Sequence, residues 1–300
     1  MFSAKYIQIP ADKNITTARH IYNFTLLAAV ILSTGCAQVS SRFPIISNEA
    51  NNTPRQLVTI SLPDSSVYTG GIKKGLFHGQ GKLKWRNGTI YTGSFKNGLF
   101  NGIGRLETTA GDIYEGNFRQ GLFEGTGIMT YRNGDQYHGN FKNDWMEGKG
   151  TFLFSNGDRY EGLFKKGMFQ GEGDLIVKHQ GHYHGSFSQG KFEGKGVYIY
   201  KTGKKYAGEF HDGRFQGVGM LEFRNGNQYV GEFKHGKFNG KGKFTWRNGN
   251  YFLGPFKDDL MHGAGTCKKR KITTSCEYKN NKLFRFGDKQ PADNNRRYQT

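Results

Sequence analysis

Apolar and polar residues alternate along most of this chain, and the alternation comes in short packets separated by turn signals. In Tyr91-x-Gly93-x-Phe95 every second residue is aromatic or glycine, while Thr92 and Ser94 between them are polar. Gly102-x-Gly104-x-Leu106 repeats the arrangement a few residues later. A period of two marks a strand with one buried and one wet face. Asn97-Gly98 separates these two segments, and Asn87-Gly88, Asn133-Gly134 and Asn225-Gly226 stand in similar places. Such dipeptides suit tight turns that need φ > 0, so the predicted element is a β-hairpin.

The packets recur in one register. Tyrosine stands at Tyr68, Tyr91, Tyr114, Tyr137, Tyr160, Tyr183, Tyr206 and Tyr229, always 23 residues apart, with Phe252 in the ninth place. Counting from that residue, glycine fills offsets 2, 11 and 13 in all nine units, and phenylalanine fills offset 4 in eight, with Ile72 in the first. Offsets 15 and 17 are mostly apolar, as in Leu83/Trp85, Met129/Tyr131, Phe152/Phe154, Tyr198/Tyr200 and Phe244/Trp246. With offsets 7 and 20, glycine in seven units each, the register accounts for 41 of the 45 glycines, so glycine is placed rather than merely abundant. A missing Cβ leaves a slot in which a neighbouring ring lies flat on the backbone. This reading puts offsets 0, 2 and 4 of one strand, and 11, 13 and 15 of the next, on a single aromatic face.

One hairpin is marginal alone, so the units must stack. Val58, Ile60 and Leu62 fall at offsets 13, 15 and 17 of a hypothetical preceding unit and read as a half-repeat cap over 57–67. Nine repeats fill 68–274. Ser275 then stands where tyrosine is due and Glu277 where glycine is due, so 275–300 reads as a degenerate cap and basic tail. The expected fold is all-β: an elongated, twisted, single-layer antiparallel sheet of tandem hairpins.

Tyr-x-Gly-x-Phe-x-x-Gly-x-x-x-Gly-x-Gly at this period resembles the MORN repeat (membrane occupation and recognition nexus), from residue 68 to about 267. The resemblance implies that sheet and a scaffolding role, with lipid headgroups or proteins as partners. It brings no cofactor, and no separate catalytic domain fits beside the array. Gly79-x-Gly81 looks weakly like a dinucleotide loop, but its recurrence in every unit argues structure.

Composition narrows the function classes. A mean hydropathy of −0.70 argues against a polytopic helical membrane protein. A net charge of +19 favours an anionic partner. Offset 5 is basic in seven units (Lys73, Lys96, Arg119, Lys142, Lys165, Lys234 and Lys257), with Ser188 and His211 as exceptions. Offset 18 adds Arg86, Arg132, Lys178, Lys201, Arg224 and Arg247, and the tail adds Lys268, Lys269, Arg270, Lys271, Arg296 and Arg297. Two readings stand: a ladder for anionic lipid or envelope polysaccharide, or strand-end charges that keep the sheet soluble and discourage edge pairing. Nucleic acid fits poorly, because the rings that would stack on bases are committed to the core. His179, His182 and His184 form a histidine cluster without a carboxylate at metal-binding spacing, and Glu124, Glu147 and Glu193 at offset 10 read as tolerated polar residues.

The first residues read as an export signal with a short helix over 1–35. Lys5, Lys13 and Arg19 oppose one acid, Asp12, before the mostly apolar run Ile21–Leu32. Ser33-Thr34-Gly35-Cys36 resembles a bacterial lipobox, which implies lipid on Cys36, a polar tether over 36–56 and an outer-membrane lipoprotein facing the periplasm or the surface. Plain secretion after cleavage near Ala37 and an uncleaved anchor are the alternatives. Cys267 and Cys276 remain, either paired across a short loop or as two thiols. Unpaired strands at the sheet ends, or the aromatic face, would offer routes to a homo-oligomer. The functional expectation is a non-enzymatic, envelope-anchored scaffold that docks proteins, anionic membrane surfaces or both; the alternatives are a binding module for anionic lipid headgroups or polysaccharide and, more remotely, an accessory domain of an enzyme.

Overall fold

The computed structural model describes residues 57–287, which fall into two compact units, 57–169 and 170–287. No helix occurs among the described residues; all regular structure is strand. The first unit holds β1 (Val58–Ser61), β2 (Val67–Lys73), β3 (Leu76–Lys84), β4 (Ile90–Lys96) and β5 (Leu99–Glu107). It continues through β6 (Ile113–Arg119), β7 (Leu122–Thr130), β8 (Gln136–Lys142), β9 (Trp145–Leu153) and β10 (Arg159–Lys165). The second holds β11 (Met168–Val177, whose first two residues count with the first unit), β12 (Gly181–Ser188), β13 (Lys191–Tyr200) and β14 (Lys205–His211). Then come β15 (Arg214–Glu222), β16 (Gln228–Lys234), β17 (Lys237–Thr245) and β18 (Tyr251–Lys257). The last strands are β19 (Leu260–Met261), β20 (Gly263–Lys269), β21 (Ile272–Lys279) and β22 (Lys282–Phe286). Within each unit strands pair antiparallel with their chain neighbours, so each is a run of successive hairpins. The expected signal helix and Cys36 lie outside the described residues.

Two kinds of turn alternate, and they differ more than their similar dipeptides suggest. Asn97 (φ 52°) and Gly98 (φ 82°) are both left-handed, and Lys96 pairs directly with Leu99: a two-residue hairpin turn whose twist matches the strands. Around Asn87-Gly88 the loop is five residues long and only Gly88 is left-handed (φ 92°). Trp85 N–H donates to Thr89 O and Gly88 N–H to Trp85 O, both at 2.9 Å, while Asn87 Oδ1 accepts from Thr89 N–H.

Aspartate replaces glycine at the second position of two tight turns, Asp144 (φ 67°) and Asp259 (φ 68°). Each carboxylate accepts a backbone N–H from the preceding repeat, Phe123 at 2.7 Å and Phe238 at 2.8 Å. Aspartate visits this backbone region more readily than most residues, and the bond adds a reason to stay.

Glycines face one another across successive strand boundaries within each unit. Gly81 pairs with Gly93, Gly93 with Gly104, Gly104 with Gly116 and Gly116 with Gly127. The same row runs through Gly185, Gly196, Gly208, Gly219, Gly231 and Gly242 in the second unit. Tyrosines lie flat along it. A Cβ built on Gly116 would stand 2.6 Å from Tyr114 Oη, and one on Gly127 2.5 Å from the same atom.

The offset-11 glycines behave differently from the sequence reading. Gly93 pairs with Gly104 but Phe95 pairs with Phe100, so three residues of β5 oppose one of β4. Gly102, at φ 85°, sits in this bulge, and a Cβ there would meet Ser94 rather than a ring. The glycine is there for its backbone conformation, not to clear a slot.

Above the glycine row the rings interlock. Tyr91 stacks on Phe100 (centroids 3.8 Å apart, 14° between planes) and meets Phe95 and Phe118 edge-on, each at 5.1 Å. Offset 9, where Phe100 stands, supplies the stacking partner in most repeats, as in Tyr114–Phe123, Tyr160–Phe169 and Tyr206–Phe215. Met146 occupies it beside Tyr137 and is fully buried. Each tyrosine hydroxyl donates to the carbonyl three residues on, Tyr91 to Ser94 and Tyr183 to Ser186 at 2.9 Å, so the ring buries no orphan donor.

At one end β1 pairs with β2, Ile60 opposite Tyr68. At the other, the β20–β21 turn shrinks to two residues, with Lys269 opposite Ile272 where a five-residue loop would otherwise stand. Pairing moves by one residue, which exchanges strand faces. Cys276 rather than Ser275 therefore comes inward, buried beside Cys267, and the two sulfurs are bonded. Tyr278 follows and packs on Phe252 at 4.8 Å.

Candidate functional site: the strand edges and the polar face

The aromatic face is closed. The eight repeat tyrosines are 0–1% exposed, and burial pushes the phenol groups of Tyr91 and Tyr206 well above the ordinary tyrosine range. Neighbouring rings pack against each repeat tyrosine, as Phe95, Phe100 and Phe118 do around Tyr91. Half-buried aromatics at its rim include Trp85, Tyr200 and Trp246. Lys204 lies over the Tyr200 ring at 4.8 Å, and burial there lowers its pKa.

The basic residues of offset 5 are all exposed at the ends of alternate strands, beside the two-residue turns. In the first unit Lys73, Lys96, Arg119, Lys142 and Lys165 close β2, β4, β6, β8 and β10, and Lys234 and Lys257 close β16 and β18 in the second. With strands ~4.8 Å apart the spacing is roughly 10 Å. The offset-18 residues lie in the turns of three to five residues at the opposite strand ends, so within each unit the two basic rows occupy opposite edges. The tail cations Lys268, Lys269, Arg270 and Lys271 are exposed; Arg296 and Arg297 lie outside the described residues.

The offset-10 residues have a definite task. Glu124 accepts the N–H of Asn143 at 3.1 Å, Glu147 that of Lys166 at 2.9 Å and Glu193 that of Asp212 at 3.1 Å. Each carboxylate thus caps the left-handed turn of the next repeat, and Gln170 and Gln216 do the same for Gln189 and His235. On the other edge Asp112 accepts from Arg132 N–H at 2.8 Å and Asp135 from Ser155 N–H at 2.7 Å. The signal was a shared acceptor at a fixed offset, invisible until the turns of adjacent repeats stood side by side.

The opposite, polar face carries the remaining chemistry. In the first unit it forms an open trough of about 750 Å³ behind the glycine row, lined by Thr92, Ile103, Arg105, Glu115, Asn117 and Ile128 among others. Arg105 Nε donates to Glu115 at 2.9 Å and its Nη1 to Glu107 at 2.5 Å. The guanidinium is thereby engaged on two sides.

In the second unit His182 Nε2 and His184 Nδ1 both approach Asp174 Oδ1, at 2.9 and 3.0 Å. Burial raises the Asp174 carboxyl, but the two imidazole hydrogen bonds outweigh it and hold the group below its ordinary range. Asp174 sits opposite His184 on the neighbouring strand, a carboxylate that the sequence reading did not connect with the histidines. The arrangement is a hydrogen-bonded triad; no group able to hold a metal ion is present among the described residues.

The MORN repeat family model matches residues 68–90, 91–113, 114–136, 137–159, 160–176, 183–205, 206–228, 229–251 and 254–271. No curated protein matches the chain. Among solved structures, the SAS-4 (dCPAP) TCP domain of Drosophila melanogaster, in complex with a proline-rich motif of Ana2, is similar at 12% identity and TM-score 0.26, over 71% of this chain and 99% of that one. The TCP10 domain of Danio rerio CPAP is similar at 11% identity and TM-score 0.23, over 67% and 94%. Virginiamycin B lyase from Staphylococcus aureus is similar at 7% identity and TM-score 0.15, over 72% and 82%. Nine matched units in one unbroken phase, eight built on a tyrosine and the ninth on Phe252, make the chain a member of the MORN repeat family, a non-enzymatic repeat module that binds proteins or membranes.

Proposed function

We propose that the chain is a scaffold of the bacterial cell envelope, tethered by lipid on Cys36, whose repeats dock proteins or anionic membrane surfaces. The observation that carries the docking half is the exposed basic row at the ends of β4, β6, β8 and β10: Lys96, Arg119, Lys142 and Lys165. A row at roughly 10 Å intervals matches a plane of phosphates better than it matches a point ligand. Each basic residue near an anionic bilayer contributes on the order of 1 kcal/mol, so several acting together give salt-sensitive binding. Anionic polysaccharide offers the same chemistry.

The test is binding of the full chain carrying Cys36→Ser to vesicles with and without phosphatidylglycerol. Lys96→Glu, Arg119→Glu and Lys142→Glu together should reduce binding to the anionic vesicles, with the difference shrinking in high salt. Unchanged binding would leave protein docking as the role of this edge. For the anchor, palmitate labelling and membrane partition of the unmodified chain should both be lost on Cys36→Ser.

A further inference from the structure

The polar face differs between the two units in a way the repeat register does not require. In the first unit the central cross-strand row reads Lys82, Thr92, Arg105, Glu115, Ile128, His138, Thr151 and Glu161. At the same offsets in the second, Val197 pairs with Ala207, Ala207 with Met220 and Met220 with Val230, and Leu253 stands two strands further on, beyond Lys243. Ile176, Ile199 and Val218 flank the row, and Val218 (60% exposed), Leu253 (49%) and Ile199 (45%) are open to solvent. Nothing in the tyrosine–glycine architecture asks for apolar side chains here, because this face does not contribute to the ring stack.

The charges around the stripe are self-complementary. Consider a second copy laid face to face, with a two-fold axis parallel to the strands at the β14–β15 boundary. Strand order reverses, so β14 lies over β15 and β13 over β16. Ala207 then meets Met220, and Val197 meets Val230. On one side of the stripe Lys195 meets Glu232, and on the other Lys205 meets Glu222, each pair occurring twice by symmetry. Further out, Ile176 of β11 meets Tyr251 of β18. Lys243, which would otherwise approach His184, is folded over the Tyr251 ring at 4.5 Å.

Eight strands at ~4.8 Å spacing and about 23 Å of strand length present roughly 800 Å² per copy, the share each partner gives to a stable interface. Twisted sheets stack face to face at about 30°, so the central pairs carry most of the contact. Glu209, Glu222 and Glu232 alternate on this face with Lys195, Lys205 and Lys243, a mixed pattern that suits a surface of mixed charge better than a uniformly anionic bilayer.

We infer that the polar face of residues 170–287 pairs with the same face of a second copy of this chain, as a two-fold dimer centred on Ala207 and Met220. The interface lies on the opposite face of that unit from its ring stack.

The test is sedimentation equilibrium of the full chain carrying Cys36→Ser, which should give twice the chain mass. Val230→Lys should yield a monomer with an unchanged circular dichroism spectrum. Glu232→Lys, which sets like charges against Lys195, should weaken the dimer at least ~10-fold. Adding Lys195→Glu to Glu232→Lys should restore it to within about 3-fold, because the exchanged pair is again opposite in sign. Ile128→Lys, on the polar face of the first unit, should leave the dimer intact. The inference is overturned by a monomer at all concentrations up to about 100 μM, by a dimer indifferent to Val230→Lys, by failure of the charge exchange to restore association, or by dissociation on Ile128→Lys.

Discussion

Tyr114 lies flat against Gly127, so closely that a Cβ on that glycine would stand 2.6 Å from ring atom Cε2 and 2.7 Å from Cζ. The ring has nowhere to retreat, because Phe123 stacks on it at 3.8 Å and Phe118 and Phe141 hold its edges at 5.1 Å. Gly127→Ala should therefore cost about 2–3 kcal/mol, the range of overpacking in a rigid core. Gly121→Asn in the same repeat is the control. Gly121 sits at φ 86° with open space around it, and Asn281 occupies the matching turn position at φ 65°. Its cost should stay within about 1 kcal/mol. Urea unfolding of the two variants measures the contrast.

Removing the Tyr114 hydroxyl isolates one hydrogen bond. Tyr114→Phe keeps the stack but leaves the Asn117 carbonyl without its donor at 2.9 Å. The expected loss is about 1 kcal/mol, against about 3–5 kcal/mol for Tyr114→Ala. Phe252 is a natural version of the first change, seated at the ninth tyrosine position and equally buried. Thermal unfolding of both variants checks the ratio.

Asp144 should give a measurable pH signature. Burial raises its carboxyl above the ordinary aspartate value, and only Oδ1 is bonded while Oδ2 is buried without a partner. A raised folded-state value means that the ionised carboxylate destabilises the fold. The penalty is absent below the unfolded value near 3.8 and complete once the pH exceeds the raised value. The stability of Asp144→Asn relative to the unmodified chain should thus rise as pH goes from 3 to 7. A flat difference across that window would show that the carboxylate is not desolvated.

The Cys267–Cys276 bond closes a loop with a sequence separation of nine, which corresponds to about 2–3 kcal/mol of loop entropy. Repeat arrays pass stability only between neighbours, so reduction should loosen β20 to β22 and leave distant repeats alone. Hydrogen exchange before and after reductant treatment would show where protection is lost.

Much of the fold was legible because tyrosine and two glycines carry one unambiguous geometric demand. The Tyr91–Gly93–Gly104 relationship is local and recurs, so alternation alone placed it. Gly102 was misread because strict alternation cannot register the extra residues of a bulge; only the pairing of Phe95 with Phe100 reveals it. The phenylalanines at offset 9 were equally periodic, yet a strand-by-strand view gave them no partner. Asp174 and its histidines, and the caps from Glu124 and Glu147, join residues on neighbouring strands whose alignment depends on loop length. The apolar stripe of Val197, Ala207, Met220 and Val230 is dispersed in sequence and contiguous only across four strands.

The capping bonds have a consequence for how such a chain changes over generations. Asp112 reaches Arg132, and Asp144 is reached by Phe123, so these ties extend no further than the adjoining copy. Excising residues 114–136 would join Ile113 to Tyr137 and offer both of these ties an equivalent partner: Asp112 would meet Ser155, and the Phe100 amide would meet Asp144. Whole copies can therefore be gained or lost by unequal recombination without a period of misfolding. The number of presented positions is heritable in integer steps, a freedom that a protein with interlocked distant segments does not have.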